Sequence, residues 1–462
     1  MFILLHAVCI PCFAKETYKQ IISPEVQKMV EQIRQSKNNG TYTFSGALTR
    51  DDIWEISDAV KSLHNTKILI TLDLASCTME NKIQGLFGNF RECSNLLKVI
   101  LPNGLTFLSN SAFSDCENLT SITIPSSCHY IDSGTLRGCK KLTSIHIDSN
   151  NPVYTMRDGF IYKPKTHTIV FYPSAEGIVT VPDDILEIGD GAFCGTPITS
   201  IKLPPHLERI GSYAFSSCTS LSSITLPDSL LYLGEAAFSK CTSLTSITIP
   251  KNVPYLENYL LSSCSSLTDI TFANGSKQTE IMQGVFTNCT SLSSLKLPDT
   301  VSYIGLNAFD HCTSLASMTL PRSLKILCAY AFYHCNSLQK VVFPPRTDFI
   351  GPYLFSNCYS LTDVTLPAQS DKGLSHNDFD TCISLKTITI PQGIKDIGED
   401  AFINCYQLAS IRFESPTPPV FHDLQFTNTP VETVLIPGRT KKAYEKTIKN
   451  CLPDATITEE GK

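Results

Sequence analysis

The stretch that decides the fold is Ile210 to Pro227, IGSYAFSSCTSLSSITLP. In its last part, Leu221-Ser-Ser-Ile224-Thr-Leu226, alternation sends Ile224 and Leu226 to one face and Ser223 and Thr225 to the other. Pro227 ends the run, because it has no N–H to donate to a ladder. Gly211 suits a tight return or a positive φ. Ala214 and Phe215 then fill the interior on the far side of the turn. Such a unit cannot bury its apolar face alone; stacking on copies of itself does.

The copies are present. The Phe215 position recurs at Phe90, Phe113, Leu136, Phe193, Phe238, Leu261, Phe286, Phe309, Phe332, Phe355, Phe379 and Phe402. Most intervals are 23 residues; the one of 57 between Leu136 and Phe193 is a repeat plus an insertion of 34. A cysteine follows three residues later in every unit except that of Phe193, which accounts for 12 of the 19 cysteines. L-x-x-I-x-L is the strand signature of a leucine-rich repeat. The expected fold is therefore a leucine-rich repeat solenoid of 13 or 14 coils. It would be a curved, right-handed coil with a parallel β-sheet on its concave face and short irregular or helical turns on its convex face. Strands about 4.8 Å apart give a rod roughly 60 Å or more in length.

The period reinterprets the composition. A length of 462 residues suggests about three domains by size alone, but the repeat makes one array. Apolar residues at 42% can build a long core. With a net charge of −6 and no basic block, an electrostatic nucleic-acid binder is disfavoured. Cysteines held at one slot per coil are expected to pack as small buried hydrophobes. Side chains pointing the same way give poor disulfide geometry, and ligands 23 residues apart along a rod do not converge on zinc. No nucleophile elbow, zinc-protease helix, phosphate loop or dinucleotide fingerprint occurs. His311 and His334 share one repeat slot, and Asp51-Asp52 reads as favourable charge in a helix first turn. No catalytic residue, metal or cofactor is expected.

The ends differ from the body. Residues 1–14 hold the apolar run FILLHAVCIPCFA (Phe2 to Ala14), which suits the h-region of a secretory signal and is too short to span a bilayer. Residues 15–76 are expected to form an N-terminal cap, 77–414 the solenoid, and 415–462 a small C-terminal cap. Ser23-Pro24 and Thr49 read as helix starts, and Ile68 to Leu74 as the first solenoid strand. Trp54 is expected to pack within the cap. The insertion, about 148–181, holds FIYKP and TIVFYP and is expected to be a hairpin leaving the solenoid wall. Its Tyr154, Tyr162 and Tyr172 are candidate exposed ligand contacts.

The outward positions of the strands are mostly serine and threonine, which both favour strands and solvate an exposed sheet. A partner could approach such a groove closely. Its sparse charges, His146, Lys202, Asp269, Lys296, Lys340, Asp363 and Arg412, are the candidate residues that set register.

The full pattern I-G-x-x-A-F-x-x-C-x-x-L-x-x-I-x-L-P resembles the BspA-like, Treponema pallidum-type leucine-rich repeat family, over about residues 68–440. NPVYTMRDGFIYKP…FYP is similar to the variant coil common in that family, and TPP…VLIPGRTKKAYEK to its C-terminal cap. The resemblance implies an exported surface protein that adheres to host matrix or cells, or to another microbial surface protein, through protein or glycan contacts. It carries no catalytic motif. The competing expectation is a non-catalytic interaction scaffold kept in the periplasm or cytosol.

Overall fold

The computed structural model describes residues 22–80, 85–109, 111–132, 134–172, 175–370, 373–422 and 426–461. The apolar run at 1–14 lies outside them. The chain winds a parallel solenoid of about 16 turns, more than the 13 or 14 expected.

Each turn has three walls. The first is the expected sheet. Strands Gly40–Thr43, Ile70–Asp73, Leu96–Ile100, Ser121–Ile124 and Ser144–Ile147 pair in that order. The row resumes at Gly177–Thr180 and ends with Thr433–Pro437 beside Thr456–Glu460. Like slots pair with like: Ser200 with Ser223, Lys340 with Asp363. The second wall is built of two-residue strands such as Arg209–Ile210 on Tyr232–Leu233.

The third wall carries no strand, yet it is laddered. The N–H groups of Tyr213, Phe215 and Ser217 donate to the carbonyls of Glu235, Ala237 and Ser239 at 2.8, 2.8 and 2.7 Å. This ladder holds Tyr213 and Ser217 at φ of 57° and 61°, a region that side-chain-bearing residues rarely enter. Gly211 opens a tight turn, its carbonyl accepting from the Ala214 N–H at 3.4 Å, but does not take a positive φ. A Cβ there would stand 2.6 Å from the Asp190 nitrogen of the preceding turn.

The core follows the repeat. Buried phenylalanine rings stack along the third wall, with centroids 5.1 Å apart for Phe286–Phe309 and 5.2 Å for Phe309–Phe332. The column continues to Phe426, 5.7 Å from Phe402, and the first sheet begins at Gly40 rather than Ile68. Stacking thus extends past both boundaries expected at 76 and 414.

Helix α1 (Pro24–Arg34) is capped by Ser23, and α2 (Arg50–Lys61) by a capping box between Thr49 and Asp52. Arg34 ties them together through Glu55 at 3.1 Å and Asp58 at 2.8 Å. Trp54, on α2, is 42% exposed, so it is only partly covered. A third helix, α3 (Lys441–Cys451), buries Tyr444 and Ile448 against the last turns.

The insertion corrects two expectations. It does not leave the wall. Strands Thr155–Arg157, Phe160–Lys163 and Thr168–Phe171 form an antiparallel meander whose last strand pairs in parallel with Glu187–Ile188 of the second wall. Phe160, Tyr162 and Ile169 pack into the C-terminal core; Ile161, Val170 and Phe171 pack into the N-terminal one. The meander is a wedge buried on both faces, and this explains its continuous apolar runs. Its tyrosines are accordingly not an exposed cluster. Tyr154 is 2% and Tyr162 6% exposed. The Tyr154 hydroxyl accepts from the Ile131 N–H at 2.9 Å. Tyr172 is partly buried and packs on Phe193 at 5.7 Å, which makes it the first ring of that column.

Candidate binding face

Hydroxyls on and beside the first sheet divide into two populations. One residue before each strand, Thr120, Ser222, Thr245, Thr268 and Thr362 donate to carbonyls of the preceding turn, at 3.0 to 3.4 Å. These side chains are used by the backbone. The outward positions within the strands are different. Ser223, Thr225, Ser246, Ser317, Thr319 and Thr387 are exposed, and among the described residues they have no intrachain partner. Thr248 and Thr271 bond to each other at 2.8 Å, and Ser144 bonds His146. The result is two rows of open hydroxyls, repeated at the strand spacing of about 4.8 Å. Each can donate and accept.

The charges on this face also divide. Lys340 and Asp363 lie in register and form an ion pair at 2.7 Å. Arg412 pairs with Glu460 of the terminal strand. His146 bonds Ser144 at 2.9 Å. Lys202, Asp269 and Lys296 are exposed and make no ion pair among the described residues. Of the seven charged positions singled out from sequence, these three are the ones left for a partner. Tyr154, Tyr162 and Tyr172 lie elsewhere, inside the wedge.

Sequence reasoning missed part of the face. Ile178, 81% exposed, pairs with Ser200, and Thr180 with Lys202, so the end of the insertion rejoins the outward rows. Thr41 and Thr43 extend the rows at the other end, beside Thr71 and Asp73. The alternation Thr41-Tyr42-Thr43 carries the same signal as the later strands.

The cysteine slot has a sharper role than small-hydrophobe packing. The Sγ of Cys241 donates to the Phe215 carbonyl at 3.1 Å, and Cys312 and Cys335 do the same to Phe286 and Phe309. That carbonyl points into the core, so each thiol satisfies a buried acceptor. In the Phe426 turn the equivalent residue is Thr429, whose hydroxyl donates to the Phe402 carbonyl. The twelve cysteines of this slot are free thiols. Burial pushes the Cys218 and Cys405 thiols up to about 12, so thiolate chemistry is suppressed at neutral pH. Among the described residues no group of three or more His, Cys, Asp or Glu gathers for a metal ion.

The profile of the BspA type leucine-rich repeat region matches residues 71–181, 186–280, 279–373 and 347–456. The chain belongs to this family. A leucine-rich repeat protein from Bacteroides ovatus has a similar fold, with a TM-score of 0.52 at 23% identity, over 79% of this chain and 92% of that one. A leucine-rich cell surface protein from Faecalibacterium prausnitzii is 25% identical over 64% of this chain and 98% of its own, with a TM-score of 0.37. The T. pallidum leucine-rich repeat protein is 29% identical over 45% of this chain and 90% of its own, with a TM-score of 0.34. No curated protein matches the chain. Repeat proteins of this kind are generally non-catalytic and bind protein partners. No helix among the described residues is long and apolar enough to cross a membrane.

Proposed function

We propose that this BspA-type protein is exported and holds a protein or glycan partner on the outward face of its first sheet, in adhesion to host matrix or cells or to other microbes. The observation that carries the reading is the contrast on that face: neighbouring hydroxyls serve the backbone, while those of Ser223, Thr225, Ser317 and Thr319 are left open. Hydroxyls offered in a regular array, with small side chains around them, admit close approach by hydroxyl-rich glycans or by peptide backbone. Lys202 and Lys296 flank the Thr225, Thr248 and Thr271 row and would fix the register of a bound partner.

The test is a binding panel of matrix proteins and glycans, run with the wild type and with Lys202→Glu/Lys296→Glu. At least tenfold weaker binding at unchanged melting temperature supports the reading; equal binding rejects these residues as contacts. Lys340 is left out because reversing its charge would break its pair with Asp363.

A second reading, an interaction scaffold kept in the periplasm or cytosol, draws on the free cysteines. The twelve cysteines of the repeat slot are all free thiols, as in compartments where thiols stay reduced. Fractionation with determination of the mature N-terminus separates the two readings: an intact Met1 in the cytosol rejects export.

A further inference from the structure

At the wedge the first sheet is interrupted. Strands Ser144–Ile147 and Gly177–Thr180 lie in consecutive turns, yet they do not pair: the first ends one sheet and the second begins another. Their residues hold equivalent slots. Ser144 and His146 are the outward positions of one strand; Ile178 and Thr180, in register with Ser200 and Lys202, are those of the other.

The second wall explains the separation. The strand that follows Ser144–Ile147 in the chain is Thr155–Arg157, and the strand that precedes Gly177–Thr180 is Thr168–Phe171. Phe160–Lys163 lies between these two and pairs with both. The turns are thus held two strand spacings apart, about 10 Å, in place of one. The first sheet has no strand to set beside Phe160–Lys163, and its own two strands there are not neighbours.

Both edges of this gap carry unpaired backbone. The N–H groups of Ser144 and Asp148 donate back to Thr120 and Ile124 at 3.1 and 3.0 Å, so alternation turns the N–H and C=O groups of Ile145 and Ile147 toward the gap. On the other side, Gly177 and Val181 donate forward to Pro197 and Lys202 at 3.3 and 3.0 Å, which turns those of Ile178 and Thr180 back toward it. Among the described residues none of these groups has a hydrogen-bond partner. Cover is thin here as well. Ile178, 81% exposed, is the most exposed large hydrophobic among the described residues. Ile147 is only partly buried, whereas its counterparts Ile124 and Ile249 are fully buried.

We propose that an extended segment of a partner protein enters this gap and adds to the first sheet as a strand. The edges select the occupant. Each presents donors and acceptors in a row, and an extended peptide backbone matches such rows on both of its sides. The inward side chains of the added strand cover Ile147, and an apolar outward side chain covers Ile178. The site uses backbone edges and not the hydroxyl rows, so either proposal can fail without the other.

The experiment uses the full chain and a fluorescein-labelled peptide with the sequence of residues 243–250, SLTSITIP, one of the chain's own first-sheet strands. Fluorescence anisotropy is expected to show saturable binding. N-methylation of the amide of the peptide's first isoleucine removes one edge donor and should weaken binding at least tenfold. Ile178→Asp should weaken it at least fivefold at an unchanged melting temperature. Leu231→Asp, at an exposed leucine outside the gap, is the control and should leave the affinity within twofold. Hydrogen exchange should show the amides of Ile145, Ile147, Ile178 and Thr180 at least tenfold more protected with the peptide bound. Absence of saturable binding, binding indifferent to N-methylation, or protection confined to the open edge at Thr456–Glu460 would each overturn the proposal.

Discussion

The third wall and the first sheet face are built from the same repeat and use their polar groups in opposite ways. On the wall, the backbone ladder and the cysteine thiols direct hydrogen bonds to the neighbouring turns, and the phenylalanine column packs inward. On the face, outward hydroxyls such as those of Ser223, Thr225, Ser317 and Thr319 make no such commitment. The solenoid thus separates the residues that hold neighbouring turns together from those it leaves open to solvent. The wall is invariant in slot because every turn must fit the next; the face is free to vary because nothing inside the molecule reads it.

The comparison breaks hardest at the ring column. Phe309→Ala is expected to cost about 3–5 kcal/mol, because its ring is fully buried between Phe286 and Phe332. Denaturant unfolding reads the loss, and a change below about 1 kcal/mol would place the ring outside the core.

Asp378 gives an effect of similar size that depends on pH. It occupies the small buried slot filled by Ala214 or Ala401 in other turns, 1% exposed, and accepts from the Ser375 N–H at 2.6 Å. Burial pushes its carboxyl up to about 7. An unfolded aspartate releases its proton near 3.9, so between about pH 4 and 7 the folded state holds the extra proton. Stability should fall as pH rises through that window, by on the order of 4 kcal/mol, and level off above it. Asp378→Asn is expected to flatten this slope in melting curves from pH 4 to 8; an unaltered slope would assign the dependence elsewhere.

A smaller effect tests the thiol slot. Thr429→Val keeps the volume but removes the donor to the Phe402 carbonyl, and should cost about 1–3 kcal/mol. A neutral result would return the slot to plain packing.

The division between wall and face also explains what was legible in the sequence. The rings and cysteines announced themselves because they recur at 23 residues. The role of the thiol did not, since the direction of the Phe215 carbonyl is a matter of backbone geometry and no residue pattern records it. Gly211 was visible as a glycine, but its reason, the approach of the preceding turn, lies between turns. The wedge was misread because Phe160-Ile-Tyr-Lys163 has the length of a surface hairpin strand; only the cores on both sides reveal why it has no polar face. On the sheet face, the alternation in the sequence placed these positions outward but could not separate Lys340, held by Asp363, from Lys202 and Lys296.

The most direct test of the central claim is to fill the face without touching the wall. Thr225→Arg/Thr319→Arg places two bulky side chains on the open hydroxyl rows, at exposed positions with no intrachain partner. Measured against whichever matrix protein or glycan binds the wild type, this variant should lose at least tenfold in affinity while its melting temperature stays within about 2 °C. Retained affinity at an unchanged melting temperature would contradict the account and move the partner off the sheet face.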